Sequence, residues 1–308
     1  PHMMQNVFAT QLRMAEGDVR VICKDVGGSY GIKVHVYPDE MAVACMSRIM
    51  GRPVKFIADR FEAFGSDIHA RDHRIKGRLA VDAEGRFLAF DIDDLTGIGP
   101  YSVYPRTSAV EGNQVVNLCG GPYAFDNYRC TTTVVLQNKS PTCQYRAVGH
   151  PIATAVTEGL VDLAAQALGM DPVDIRRKNL IRDDAYPCTS PAGMRFEGLS
   201  HHASLDKLLE MVPLDRIRAD QAEQRKRGVY RGIGFASFIE LTNPSPFMYG
   251  IGGAKISAQD GCTVRMDPDG SVVALSGVTE QGQGTEAMLA QIVAHGVGVP
   301  VSKVKVVT

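Results

Sequence analysis

Alternation of apolar and polar residues marks the strands of this chain, and wider apolar spacing marks its helices. Residues 19–23 alternate and are β-branched, which predicts a strand leading into a glycine-rich stretch. Residues 75–81 and 87–92 read as a hairpin across the turn Asp82-Ala83-Glu84-Gly85. Further strands are predicted over 54–57, 128–136 and 232–240, and a pair over 262–275 folded at Asp267-Pro268-Asp269-Gly270. A helix is predicted from about residue 38, with Pro38 in its first turn, Asp39 and Glu40 beside the positive end of its dipole, and Gly51 at its close. A longer helix is expected over 151–168, with Ala155, Leu160, Leu163 and Ala164 as its buried face and Gly169 as its stop. Asp171 then caps a short helix to about residue 180, with Pro172 in its first turn. Helices follow over 205–211, 214–227 and 285–295.

Hairpins outnumber strand–helix–strand units in this pattern. The expected fold is therefore α+β: two lobes of mixed or antiparallel sheets with packed helices. Residues 183–202, rich in Asp, Pro, Ser and Gly, read as a linker between a domain over 1–182 and the beginning of a second over 203–308. A faint internal echo agrees with two similarly built lobes. Residues 27–57 run glycine loop, helix, Gly-Arg-Pro-Val-Lys-Phe-Ile; residues 281–307 run glycine loop, helix, Gly-Val-Pro-Val and a strand-like end. The abrupt opening at Pro1-His2 and the strand-like close at Val304-Lys305-Val306-Val307-Thr308 suggest a piece of something longer.

Composition narrows the function classes. A net charge of −1, from 33 basic and 34 acidic residues, disfavours a nucleic-acid or anionic-membrane surface. The basic runs Arg176-Arg177-Lys178 and Arg225-Lys226-Arg227 fall on predicted amphipathic helices, where a solvated face is expected. The 7 cysteines form no ligand spacing, and their odd number fits scattered, reduced and mostly core-packed thiols in a cytoplasmic protein. No stretch approaches the roughly 20 apolar residues of a membrane-spanning helix.

The candidate chemistry sits in three short loops: Gly27-Gly28-Ser29-Tyr30-Gly31, Tyr145-Arg146-Ala147-Val148-Gly149-His150-Pro151, and Gln281-Gly282-Gln283-Gly284. Each is read as following a strand, and the last two as running straight into an apolar helix. Such placement points backbone N–H groups into a crevice suited to a large phosphate-bearing or polycyclic ligand. Ser29 stands at the centre of a Gly-x-Ser-x-Gly match to a hydrolase nucleophile elbow, but residues 32–36 read as extended where that motif requires a helix. A Walker phosphate loop fails on glycine spacing. Arg146 reads either as a salt-bridged structural arginine or as a pocket residue holding an anionic or carbonyl group, and its place between strand and buried helix favours the pocket. His150 reads as a helix-entry residue, and His201 and His202 as solvated helix-start residues. Gln281 and Gln283 flank Gly282, where their carboxamides can meet a polar heterocycle at close backbone approach.

Taken in order, these segments resemble the molybdopterin-binding large subunit of the xanthine oxidase family of molybdenum hydroxylases. The similarity is greatest to the bacterial branch that includes aerobic carbon monoxide dehydrogenase and N-heterocycle dehydrogenases. The resemblance rests on Pro1-His2, Asp25-Val26-Gly27-Gly28-Ser29-Tyr30-Gly31-Ile32-Lys33, Gly51-Arg52-Pro53-Val54-Lys55, Tyr145-Arg146, the stretch from Leu168-Gly169-Met170-Asp171-Pro172 to Arg177-Lys178-Asn179, and Gln281-Gly282-Gln283-Gly284.

The resemblance implies a molybdenum–pterin cofactor, usually the cytosine dinucleotide in bacteria, with the metal held by the pterin dithiolene and not by protein. It implies oxidation of an electron-poor carbon with water as oxygen source, and electron exit through an iron–sulfur small subunit and an FAD medium subunit. Carried over by motif, Ser29, Tyr30 and Gly31 lie over the molybdenum centre. Gln281, Gly282 and Gln283 grip the pterin. Arg146, Ala147 and Val148 line the loop beside metal and substrate, and Tyr30, Arg146 and Val148 form the substrate side. Ala147 stands where carbon monoxide dehydrogenases carry a copper-binding cysteine, so an organic N-heterocycle or aldehyde is preferred. Ser29-Tyr30 replaces the commoner Gly-Phe and adds a phenol able to hydrogen-bond a substrate heteroatom. The base glutamate of the family lies outside this chain, which by itself is expected to be inactive. Two other readings stay open: a separately encoded cofactor-binding subunit that works only when assembled, and a serine hydrolase using Ser29.

Overall fold

The computed structural model describes residues 1–105, 107–240 and 260–308. They divide into two units: Pro1–Ile68 with Val103–Thr107 and Asn243–Thr308, and His69–Ser102 with Ser108–Thr242. In chain order the elements are α1 His2–Leu12, α2 Pro38–Met50, α3 Arg60–Ser66, β1 His73–Val81, β2 Phe87–Gly97, α4 Val110–Leu118, β3 Asn127–Val135, α5 His150–Leu168 and α6 Pro172–Asn179. They continue with β4 Cys188–Thr189, β5 Arg195–Phe196, α7 His201–Met211, α8 Leu214–Lys226, β6 Cys262–Met266, β7 Val272–Ser276, α9 Thr285–Val297 and β8 Val304–Val307. This is the expected α+β class.

The second unit is built on β1–β2–β3. The predicted hairpin forms: β1 pairs antiparallel with β2, and Asp82 closes the turn by accepting from Arg86 N at 2.7 Å while Gly85 takes a left-handed φ of 82°. β3 then returns through α4 to lie parallel to β2. The first unit repeats this plan, with β6–β7 antiparallel, α9 crossing over, and β8 parallel to β7. The expected mixed sheets are found: each three-stranded sheet combines one hairpin with one strand–helix–strand crossover. The echo between the lobes is real in kind, but it lies between residues 73–135 and 262–307 rather than between the glycine loops.

Packing decides several points that periodicity left open. The aromatic cluster Phe87, Phe90, Tyr123 and Phe125 meets Val161, Ala164, Ala165 and Ile175, while Ile92, Val115, Leu118 and Ala153 form an adjoining cluster. The buried face of α5 thus runs Ala153, Thr157, Val161, Ala164, Ala165; Ala155 is exposed and Leu163 is 62% exposed, contrary to expectation. Expected strands at 19–23, 54–57 and 232–240 do not form. Alternation sets the two sides of an extended segment but supplies no neighbour to complete a ladder. Helices α1, α3 and α4 carried no predicted signal. The expected linker holds the small β4–β5 hairpin, whose Phe196 is buried.

Arg176 corrects the reading of its basic run as a solvated face. It is 0% exposed, donating from Nε to Glu158 Oε2 at 2.8 Å, from Nη2 to Asp162 Oδ1 at 2.8 Å and from Nη1 to the Pro172 carbonyl at 2.9 Å. Tyr123 Oη donates to the other Glu158 oxygen at 2.7 Å. A charge can be buried here because each lone pair facing it is met. His201 and His202 likewise are only half-buried and face backbone carbonyls, of Phe238 at 3.0 Å and Leu180 at 3.2 Å.

Candidate cofactor-binding site

In the first unit, the first and third glycine loops come together. Ser29 is buried, and its Oγ donates to Gln281 Oε1 at 2.7 Å while accepting from Gly31 N at 3.3 Å. Val26 N donates to the Glu280 carbonyl at 3.2 Å. A Cβ on Gly282 would lie 3.6 Å from the Gly27 carbonyl carbon and oxygen, so glycine backbone faces glycine backbone with no side chain between. Tyr30 adopts a left-handed φ of 52° and stays 58% exposed at the rim of this floor.

The nucleophile-elbow reading does not survive this geometry. A short 3-10 turn, Ile32–Val34, follows Ser29 in place of a helix, and the Ser29 hydroxyl is committed to a neutral carboxamide rather than to a base. No strand precedes this loop, whereas the third loop follows β7 and, like the second, opens its helix directly.

Glu280, which the sequence reading passed over, organises the third loop. Its carboxylate accepts from Gly284 N at 2.9 Å, Gly282 N at 3.1 Å and Glu286 N at 3.1 Å. The Gly284 and Glu286 N–H groups are unpaired donors at the start of α9, so the anion held by this helix terminus is the chain's own side chain. The N–H groups of Glu286 and Gly284 pull the Glu280 pKa below its ordinary value. Gln283 turns inward: its Oε1 accepts from Gln281 N at 2.6 Å, and its Nε2 donates to Thr279 O at 3.1 Å and Thr285 Oγ1 at 2.7 Å. An acid immediately before a glycine loop that opens a helix is the signal that could have revealed Glu280.

In the second unit, the loop with Arg146 is built from consecutive left-handed residues: Ala147 at φ 69°, Val148 at 21° and Gly149 at 76°. For a β-branched valine such a backbone is costly, and it persists only where the surroundings over-determine it. Val148 N donates to Tyr145 O at 2.9 Å and His150 N to Ala147 O at 2.8 Å. His150 opens α5 as expected and turns its Nδ1 toward the carbonyls of Ala147 and Val148. A Cβ on Gly149 would meet the Glu111 carbonyl oxygen at 2.5 Å.

Behind this loop lies a buried chain of charges. His73 Nδ1 is 2.9 Å from Asp94 Oδ1, and its Nε2 is 3.7 Å from Glu111 Oε2. Thr96 and Thr132 donate to the other Asp94 oxygen at 2.7 and 2.9 Å. Burial opposes charge on His73, but hydrogen bonds to Asp94 and Glu111 outweigh it and raise the imidazole to about 9. Burial likewise works against the Asp94 carboxylate, and the bonds from His73 and Thr96 reverse it, holding that group below its usual range. An imidazolium between two carboxylates is the consequence.

Among the described residues, no cluster of three or more His, Cys, Asp or Glu side chains could hold a metal ion, and no helix is long and apolar enough to cross a membrane. The first unit thus holds a pair of apposed glycine loops suited to an extended organic ligand, and the second, by itself, a strained loop that opens α5. The chain matches the molybdopterin cofactor-binding domain family over residues 1–180, and a second family of the same description over residues 207–308. It belongs to the molybdopterin cofactor-binding domain family.

Its relatives are subunits of molybdenum hydroxylases and dehydrogenases. It is 31% identical to the carbon monoxide dehydrogenase large chain of Hydrogenophaga pseudoflava, over 99% of this chain and 38% of that one. It is 33% identical to the nicotine 6-hydroxylase large subunit of Paenarthrobacter nicotinovorans, over 99% of this chain and 37% of that one. The solved structure of quinoline 2-oxidoreductase from Pseudomonas putida 86 superposes with a TM-score of 0.91 at 35% identity, covering 99% of this chain and 39% of that one. The chain spans under two fifths of the length of the curated relatives it matches.

Proposed function

We propose that this chain is part of a molybdenum hydroxylase large subunit that oxidises an electron-poor carbon of an N-heterocycle or aldehyde, with water as the oxygen source. The observation that carries the reading is the Ser29–Gln281 bond, which joins two glycine loops 252 residues apart into one side-chain-free floor in a molybdopterin-binding family.

The residues present fit such a group. The Gly27–Gly282 approach leaves room for a flat ring system against backbone, and the Ser29–Gln281 pair supplies a polar edge. When bound, the cofactor supplies Lewis-acid activation and a two-electron sink. Ser29, Tyr30 and Gly31 on one loop and Gln281, Gly282 and Gln283 on the other hold it; Gln283 acts by fixing the shape of its own loop. Arg146, Ala147 and Val148 line the substrate side, where the Arg146 guanidinium orients a carbonyl or ring heteroatom and the Tyr30 phenol offers a second hydrogen bond. With Ala147 next to Arg146 there is no thiol for copper, which favours an organic substrate. The cytosine dinucleotide form of the cofactor, an iron–sulfur small subunit and an FAD medium subunit complete the proposed assembly. With no disulfide among the described residues, we read the cysteines as reduced thiols of a cytoplasmic protein.

Metal analysis of the full-length assembly tests the reading. Molybdenum is expected near one per large subunit, Gln281→Ala should lower that content, and Arg146→Ala should cut turnover while leaving it intact. Equal loss of metal and turnover in Arg146→Ala removes the substrate-side role. Fluorophosphonate labelling at Ser29, lost in Ser29→Ala, would favour a serine hydrolase instead.

A further inference from the structure

Three consecutive left-handed residues that include a valine do not hold their shape unaided, and the backbone and His150 hydrogen bonds inside the loop are local. One fixed point outside it is Arg71. This residue is itself left-handed, at φ 66°. Its backbone N–H donates to Glu111 Oε2 at 2.8 Å, and its guanidinium lies 3.8 Å from Glu111 Oε1. The same guanidinium donates to the Arg146 carbonyl and sits 5.3 Å above the Tyr145 ring. One side chain thus touches Tyr145 and Arg146, the two residues that lead into the strained turn. Glu111 grips the loop at both ends, since its carboxylate holds Arg71 while its carbonyl backs directly onto Gly149. Glu111 is buried and braced in turn by His73, which leans on Asp94.

We propose that Arg71, anchored by Glu111, is a positioning residue that sets the conformation of the 145–149 loop and, through the direction it imposes on Val148, the enzyme's affinity for its organic substrate. This rests on the functional reading above, in which that loop faces substrate. Arg71 does not touch the reacting atoms. Its guanidinium is suited to the task because a planar fork can pair with a carboxylate, donate to a carbonyl and stack on a phenol ring at once. An ammonium in the same place can do the first two.

The test uses the assembled full-length enzyme with Arg71→Ala and Arg71→Lys. Amide hydrogen exchange at Val148 and His150, whose N–H groups close the loop, should quicken at least roughly tenfold in Arg71→Ala and return most of the way in Arg71→Lys. Exchange in β1 and β2, the melting temperature and the molybdenum content should stay as they were. With quinoline as the N-heterocycle tested, KM should rise roughly tenfold in Arg71→Ala while kcat changes less than about twofold. Unchanged exchange at Val148 and His150 overturns the proposal whatever the kinetics show. So does a parallel fall of kcat, molybdenum and melting temperature, which would mark Arg71 as a general fold contact. Absence of molybdenum from the unsubstituted assembly is a different failure: it sinks the functional reading and leaves the exchange result standing.

Discussion

Removing the proton from His73 should loosen the second unit. The folded imidazole ionises at about 9, against 6.5 for the ordinary group. Because the folded value lies above the unfolded one, the stabilisation is complete below about pH 6.5 and disappears as pH rises through 9. The gap of roughly 2.5 pH units, at about 1.4 kcal/mol each, bounds the effect between about 3 and 4 kcal/mol. Solvent screening takes little from this, since the His73 side chain is 4% exposed and Asp94 0%. That is a large share of the stability of an ordinary domain.

Two measurements check it. The His73 Cε1 resonance in histidine-labelled protein should titrate near pH 9. The urea midpoint should fall between pH 8 and 10 in the native protein, and this fall should vanish in His73→Gln. A resonance titrating near 6.5, or an alkaline loss that survives His73→Gln, would refute the imidazolium between Asp94 and Glu111. Asp94 predicts the opposite limb: its depressed value gives stability that is present above pH 4 or so and lost toward stronger acid.

Gly149→Ala should be costly on two counts, a left-handed backbone worth about 1–2 kcal/mol to an L-residue and a Cβ at 2.5 Å from the Glu111 carbonyl oxygen; denaturant unfolding should show at least about 2 kcal/mol lost, and a loss within 0.5 or so would mean the loop shifts freely. Arg176→Met leaves Glu158 buried beside Tyr123 without its cation and should cost about 3–5 kcal/mol. Burial already raises the Glu158 pKa, so the deficit of the variant should shrink as pH falls and that carboxyl takes up a proton; a pH-independent deficit would contradict the pairing.

Much of the local structure was written in short-range signals. The β1–β2 hairpin was legible because strict alternation met a turn in which Asp82 and Gly85 each had a defined role. The starts of α5 and α9 were legible because a glycine loop fed directly into an apolar run. The molybdopterin-binding character could be recognised from ordered loop motifs, for the same reason that each loop's backbone shape depends on its own glycines.

The tertiary structure decided the rest. Nothing near Ser29 announces that its hydroxyl is bonded to Gln281, since that pairing is made across 252 residues. Arg176, in a run of three bases, looks like any solvated helix charge until Glu158 and Asp162 are brought against it. Val161, not Leu163, turns inward on α5, although both are apolar and two residues apart. Residues 19–23 alternate as well as any strand but find no ladder partner. Period, caps and turns are properties of neighbouring residues, and a sequence states them directly. Which polar group meets which, and which apolar face is covered, depends on distances between segments that are set only when the whole chain has packed.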